Sequence, residues 1–123
     1  MVYAATTSSL AILEQLVQIR IEIATLTMVA IDFADDAPVR RIHQSDLPRD
    51  WRDHDHVFCR DLGSNWTTSG ETLALRVPSS VNVLEDVILL NPHHKAIARC
   101  KVSDPIPVRL DRRLVALIER APR

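Results

Sequence analysis

Two short apolar runs of this 123-residue chain each end in a corner made of proline and small polar side chains. Leu73–Val77 is followed by Pro-Ser-Ser at 78–80, and Val87–Leu90 is followed by Asn-Pro-His-His at 91–94. Short apolar runs bounded by proline are typical of buried strands. Hydroxyl, amide and imidazole groups at strand ends can hold a ligand by hydrogen bonds. We therefore expect a functional site at these corners.

A helix carrying a carboxylate is predicted near the start of the chain. Thr6–Ser9 supplies several N-cap candidates, and apolar residues then recur at three- and four-residue spacing, which predicts a helix over Ser9–Arg20. Leu10, Leu13 and Val17 share one face of this helix, and Glu14 lies beside them. Taken alone, Glu14 is most simply a solvated residue at the edge of a helix.

The remaining pattern predicts an α+β fold. We expect strands in Ile21–Phe33, Val39–His43, Ile97–Val102 and Val108–Asp111, one or two helical turns in Phe58–Asn65 ending near Gly63, and a short helix in Leu114–Arg120. An early helix followed by many short strands indicates one compact domain over residues 1–123, with short strands and flanking helices.

Composition excludes several classes of function. Fifteen basic and 16 acidic residues give a net charge of −1, which argues against non-specific nucleic-acid binding. The most apolar stretch, Ile21–Phe33, is too short and too polar to span a bilayer, so no membrane association is expected. Two distant cysteines and a start without signal-peptide features indicate a cytoplasmic protein.

Two histidine-containing segments contain metal-ligand residue types, but we expect no metal site. Asp53–His56 with Cys59 lacks a second ligand pair at suitable spacing, so a solvated loop is the better interpretation. His93 and His94 are adjacent, and adjacent side chains of an extended segment point to opposite sides. Ser79 is not expected to be a hydrolase nucleophile, because the Gly-x-Ser-x-Gly motif is absent.

Six motifs in order resemble those of the RES-domain family, the toxins of bacterial RES–Xre toxin–antitoxin pairs. They are Val2-Tyr3-Ala4-Ala5 leading to Glu14, Leu47-Pro48-Arg49-Asp50-Trp51-Arg52, Gly63-Ser64-Asn65-Trp66, Val77-Pro78-Ser79, Leu90-Asn91-Pro92-His93-His94 and Leu110-Asp111-Arg112-Arg113-Leu114. Each is weak alone, and their shared order over nearly the whole chain carries the resemblance.

The resemblance implies a fold similar to that of ADP-ribosyltransferases and the consumption of NAD⁺ as substrate, without a metal. The nicotinamide–ribose bond would be broken, either to degrade NAD⁺ or to transfer ADP-ribose to a protein target. An Xre-type antitoxin is the implied partner.

The family is named after an arginine, a glutamate and a serine, and Glu14 and Ser79 match the second and third. Glu14 is the implied stabiliser of the oxocarbenium-like ribose, and Ser79 is implied to hold a ribose hydroxyl or phosphate. Tyr3, Asn91 and His94 are the other implied NAD⁺-binding residues: Tyr3 would stack on nicotinamide or bond the ribose, and His94 would shape the site by hydrogen bonding.

The family's arginine belongs to a segment before the tyrosine, and no arginine precedes Glu14 in this sequence. We therefore expect a RES domain without its arginine-bearing segment, and enzymatic activity stays open. The alternative is an inactive domain that only binds the antitoxin, or a decayed copy without function.

Overall fold

The two apolar runs lie side by side at the centre of a four-stranded sheet in the computed structural model, which describes residues 1–18, 25–53 and 56–120. Along the chain the described elements are β1 (Val2–Ala5), α1 (Ser8–Gln18), β2 (Thr25–Met28), β3 (Ile31–Asp32), β4 (Val39–Arg41), α2 (Val57–Ser69), β5 (Ala74–Pro78), β6 (Asp86–Leu90), β7 (Lys101–Val102), β8 (Ile106–Arg109) and α3 (Arg112–Arg120), with 3₁₀ turns at Gln44–Asp46 and Lys95–Arg99. This mixture of helices and sheets confirms the predicted α+β class.

The main sheet has the order β1-β6-β5-β4. β6 is antiparallel to both of its neighbours, whereas β4 is parallel to β5. The register places Ala74 opposite Leu90 and Pro78 opposite Asp86, so the end of β5 lies beside the start of β6. Two smaller antiparallel sheets pair β2 with β8 and β3 with β7.

The two faces of the main sheet carry separate parts of the core, because side chains alternate along a strand. Leu75 and Leu89 pack with Ile42 and Trp66 of α2 on one face. The second cluster joins Ala74, Leu90 and the adjoining Leu73, with the partly buried Ile31, Phe33, Ala37, Ile88, Ala96, Ile97 and Cys100 packed against it. The central strands are therefore covered on both sides over most of their length, which explains why their sequence is mostly apolar, with Arg76 and Asp86 as the charged exceptions.

α1 forms where the capping and spacing signals predict it. The Thr7 hydroxyl accepts a hydrogen bond from the Leu10 amide at 3.1 Å, and Leu10 is completely buried. The predicted end of this helix at residues 19–20, and the start of the next strand segment at 21–24, lie outside the described residues. The rest of that apolar segment forms β2 and β3.

α2 is longer than predicted. It does not end near Gly63 but continues to Ser69, and Gly70 ends it in the left-handed conformation at φ 63°. Gly63 lies inside the helix, where the packing of Trp66 outweighs its low helix propensity. The Trp66 indole is 2% exposed and donates a hydrogen bond to the Thr72 hydroxyl at 2.7 Å.

The prediction of one strand over Ile97–Val102 is wrong. Lys95–Arg99 forms a 3₁₀ turn, and only Lys101–Val102 is extended. The turn forms because the His94 imidazole Nδ1 accepts the Ala96 amide at 3.0 Å, which is an N-cap interaction.

The last described element is the predicted short helix, α3. The Asp111 carboxylate accepts the Arg113 amide at 2.8 Å and also bonds the Arg113 guanidinium, and these bonds hold the pKa of Asp111 below its ordinary value. Within the described part of the chain, no helix combines the length and apolar character needed to cross a membrane.

The two glycines of the α2 region should respond oppositely to alanine. Gly63→Ala should raise the free energy of unfolding by about 0.5–1 kcal/mol, because the helix gains propensity and no atom lies within 4 Å of the added methyl group. Gly70→Ala should lower it by about 1–2 kcal/mol, because the left-handed conformation crowds a Cβ atom. Urea unfolding of both variants measures the difference, and equal effects would contradict this account of the helix end.

Candidate active site

Glu14 and Ser79 meet directly, although 65 positions separate them in the sequence. The Ser79 hydroxyl donates a hydrogen bond of 2.7 Å to Oε1 of the Glu14 carboxylate. Glu14 lies in the middle of α1, and Ser79 follows the last residue of β5. Ser79 is completely buried, and Glu14 is partly exposed. The contact therefore holds a solvent-accessible carboxylate against a fixed buried group.

The Ser79 hydroxyl is fully occupied by protein partners. Besides donating to Glu14, it accepts hydrogen bonds from the Val81 amide at 3.1 Å and the Asn82 amide at 3.0 Å. A hydroxyl has one hydrogen to donate and two lone pairs to accept with. Ser79 therefore has no capacity left for the ribose hydroxyl or phosphate that the sequence resemblance assigned to it. Its hydrogen bond restrains the Glu14 carboxylate.

The loop between β5 and β6 is held by two long side chains from elsewhere in the chain. The Arg52 guanidinium donates two hydrogen bonds, at 3.0 and 2.8 Å, to the Ser80 carbonyl oxygen. The Gln44 amide donates to the Val83 carbonyl at 2.9 Å. Sequence reasoning missed both side chains. The signal that could have found Arg52 is its place as the last residue of the Leu47-Pro48-Arg49-Asp50-Trp51-Arg52 motif.

Arg41 of β4 and Arg76 of β5 both approach the carboxylate of Asp86, the first residue of β6. The Arg76 guanidinium bonds the Asp86 carboxylate at 2.5 Å, and Arg41 lies 3.7 Å from the same oxygen. The Asp86 carboxylate is largely buried, and the two guanidinium groups balance its negative charge at the start of β6. Alternation along β5 puts Arg76 on the face opposite to Val77.

Tyr3 stands on the edge strand that leads into α1. Its backbone lies opposite Leu89 of β6, and the residue is 72% exposed. The ring is therefore open to solvent and accessible to a ligand.

Asn91 and His94 lie at the other end of the β5–β6 pair. The Asn91 amide donates to the Leu73 carbonyl at 2.9 Å, which places it beside the start of β5, whereas Ser79 follows its end. Six strand residues at 3.3 Å each separate the two positions by roughly 20 Å. The 3% exposed Asn91 uses its side-chain oxygen to accept the His93 amide. The structure thus brings Glu14 and Ser79 together and leaves Asn91 and His94 apart from them.

The segment with metal-ligand residue types has structural roles where it is described, and His54 and Asp55 lie outside the described residues. The His56 imidazole bonds the Asp50 carboxylate at 2.9 Å and accepts the Phe58 amide at the start of α2. Burial, with a smaller effect of Asp50, raises the pKa of the Cys59 thiol, which therefore stays protonated. Among the described residues, no three His, Cys, Asp or Glu side chains come together as a metal site.

Ser79→Ala should lower the free energy of unfolding by about 1–3 kcal/mol, because the Val81 and Asn82 amides lose their shared acceptor. The matched control is Ser80→Ala, since Ser80 is exposed and uses its backbone carbonyl in the loop. Its effect should stay within about 0.5 kcal/mol. Urea unfolding compares the two variants, and a neutral Ser79→Ala would contradict the role given to this hydroxyl.

Comparison with known proteins assigns the chain to a family. Residues 1–111 match the RES domain. A toxin Res from Yersinia enterocolitica is 35% identical over 118 residues, which cover 92% of this chain and 76% of the relative. A toxin Res from Photorhabdus laumondii is 31% identical over 110 residues, which cover 84% of this chain and 70% of the relative. The chain therefore belongs to the RES-domain family, as the order of its motifs predicted.

Proposed function

We propose that this protein is the toxin of a toxin–antitoxin pair and that it consumes NAD⁺ by breaking the nicotinamide–ribose bond. Its membership of the RES family and its similarity to two proteins named toxin Res support the first part. The second part rests on the resemblance of its motifs and on the geometry around Glu14. The α+β arrangement is compatible with the ADP-ribosyltransferase-like fold that we also propose.

The hydrogen bond between Glu14 and Ser79 carries the proposal. When the nicotinamide–ribose bond breaks, its electron pair leaves with nicotinamide, and positive charge develops on the ribose ring. A carboxylate held in a fixed position stabilises that charge without having to reorganise, as carboxylates do in glycoside cleavage. Glu14 is held on a helix and by a buried donor, which is the preorganisation that this chemistry needs.

The geometry divides the expected NAD⁺-binding residues into two groups. Tyr3 is exposed on the strand that leads into α1, so its ring can stack on nicotinamide. Ser79 contributes indirectly, because it fixes the Glu14 carboxylate and bonds two amides of the loop between β5 and β6. Asn91 lies roughly 20 Å from Ser79 along the strands, and the His94 backbone amide bonds the Asn91 carbonyl at 3.1 Å, so we assign neither residue to the bond-breaking part of the site.

The partners follow from the family. NAD⁺ is the proposed substrate, no metal takes part in the proposed chemistry, and the proposed location is the cytoplasm. An Xre-type antitoxin is the proposed protein partner. Water, phosphate or a side chain of a target protein can accept the ADP-ribose, and all three outcomes release nicotinamide.

Glu14→Gln should reduce nicotinamide release by at least about 10²-fold, because the transition-state charge loses its counter-charge. The fold should be unchanged, because the glutamine carbonyl can still accept the Ser79 hydrogen bond. Glu71→Gln is the matched control, since it also removes one negative charge but from an exposed residue outside the site. Chromatography of NAD⁺ incubated with each purified protein measures the rates.

Two outcomes would contradict the proposal. Equal activity of Glu14→Gln and the unchanged chain would remove Glu14 from the mechanism. Failure of the unchanged chain to release nicotinamide, together with binding of an Xre-type antitoxin, would leave the alternative of an inactive antitoxin-binding module.

Ser79→Ala should lower kcat for NAD⁺ cleavage by about 10-fold or more with little change in KM, because Ser79 positions Glu14 and does not contact substrate. Steady-state kinetics at a temperature where the variant is fully folded provides the measurement. A rise in KM at constant kcat would instead indicate direct substrate binding by Ser79.

A further inference from the structure

A cavity lies at the end of the sheet away from Ser79. It has a volume of about 340 Å³ and is lined by residues of segments 34–38 and 94–99. This volume is at the lower end of the range for small-molecule sites. None of its lining residues belongs to the proposed NAD⁺-cleaving group of Tyr3, Glu14 and Ser79.

The two segments that line this cavity, 34–38 and 94–99, are its walls, and both contact the core. The Pro38 carbonyl accepts hydrogen bonds from the Leu73 amide at 3.0 Å and the Ala74 amide at 3.3 Å. Ala37 of one wall and Ala96 of the other pack against the same buried cluster. The cavity is therefore formed by the fold itself and needs no ligand to assemble it.

The rim of the cavity offers donors and positive charge. The His94 Nδ1 accepts the Ala96 amide, so a neutral imidazole at this position carries its hydrogen on Nε2 and is a donor there. Lys95 and Arg99 add two cations, against the single carboxylate of Asp36. Arg99 and Asp36 approach to 3.6 Å with both side chains mostly exposed, and such a pair is weak enough to exchange for a ligand.

Half of the lining residues are apolar. Ala34, Ala37, Pro38 and Ala96 supply small side chains without hydrogen-bonding groups, and we call these four the alanine–proline floor. A flat ring can pack on such a surface, while an anionic substituent reaches the cations of the rim.

We propose that this cavity binds a small anion that carries a flat apolar body, with the anionic group on Lys95, Arg99 and His94 and the ring on the alanine–proline floor. A nucleoside monophosphate and an aromatic carboxylate share this chemistry. The site is separate from the place where NAD⁺ is cleaved, and the proposal does not depend on that activity.

Titration of the ¹⁵N-labelled chain with AMP, benzoate or inorganic phosphate, followed by NMR, tests the proposal. AMP or benzoate should give saturable shifts of amides in segments 34–38 and 94–99, and inorganic phosphate should bind at least about 10-fold more weakly because it lacks the ring. Saturation by AMP alone identifies a nucleotide site, and saturation by benzoate alone identifies an aromatic-acid site.

Two variants and one control make the test specific. Arg99→Gln removes a rim cation and Ala34→Leu fills the floor, so each should weaken binding by about 10-fold or more. Arg49→Gln removes the same charge from an exposed residue outside the cavity and should leave affinity unchanged. Amide spectra establish that each variant is folded.

The proposal is overturned if neither AMP nor benzoate saturates below about 10 mM. It is also overturned if phosphate alone binds as tightly as the ring compounds, if the shifts fall at Glu14 and residues 79–86 instead, or if both variants retain full affinity.

Discussion

The buried hydroxyl of Ser79 joins three parts of the chain: the helix that carries Glu14, the end of β5, and the loop that returns to β6. Its hydrogen goes to the carboxylate and its lone pairs go to two loop amides. Because all three bonds form on one atom, the orientation of the acid and the shape of the loop depend on each other. A carboxylate that must stabilise transient positive charge benefits from this restraint, since it cannot turn toward bulk water without breaking a buried bond.

The antiparallel β5–β6 pair is the frame on which both candidate sites are built. One end carries the proline corner at Pro78 and the Glu14 contact, and the other carries Asn91 and the anchored cavity walls. Hydrophobic clusters pack on both faces of the strands between them, so the sheet holds the two ends apart. The sites therefore share a scaffold without sharing residues.

Much of the fold was predictable because local signals agree with tertiary packing. The cap and apolar spacing before Glu14 located α1, and two apolar runs located β5 and β6. Prediction failed in two places for different reasons. The long-range packing of Trp66 carries α2 through Gly63, and the local cap that His94 makes with the Ala96 amide turns the next segment into a 3₁₀ helix. The types of the site residues were readable from the motifs. The full occupancy of Ser79, the role of Arg52 and the distance to Asn91 depend on the folded geometry.

The order of strands also bears on how the protein is made. Its first strand, β1, pairs with β6, and Glu14 depends on a hydroxyl 65 positions later. Ribosomes release the amino-terminal end first, so the acid leaves the exit tunnel long before its partner exists. A nascent chain therefore carries Glu14 without the hydrogen bond from Ser79 that fixes the carboxylate. The site becomes organised only when synthesis has passed β6.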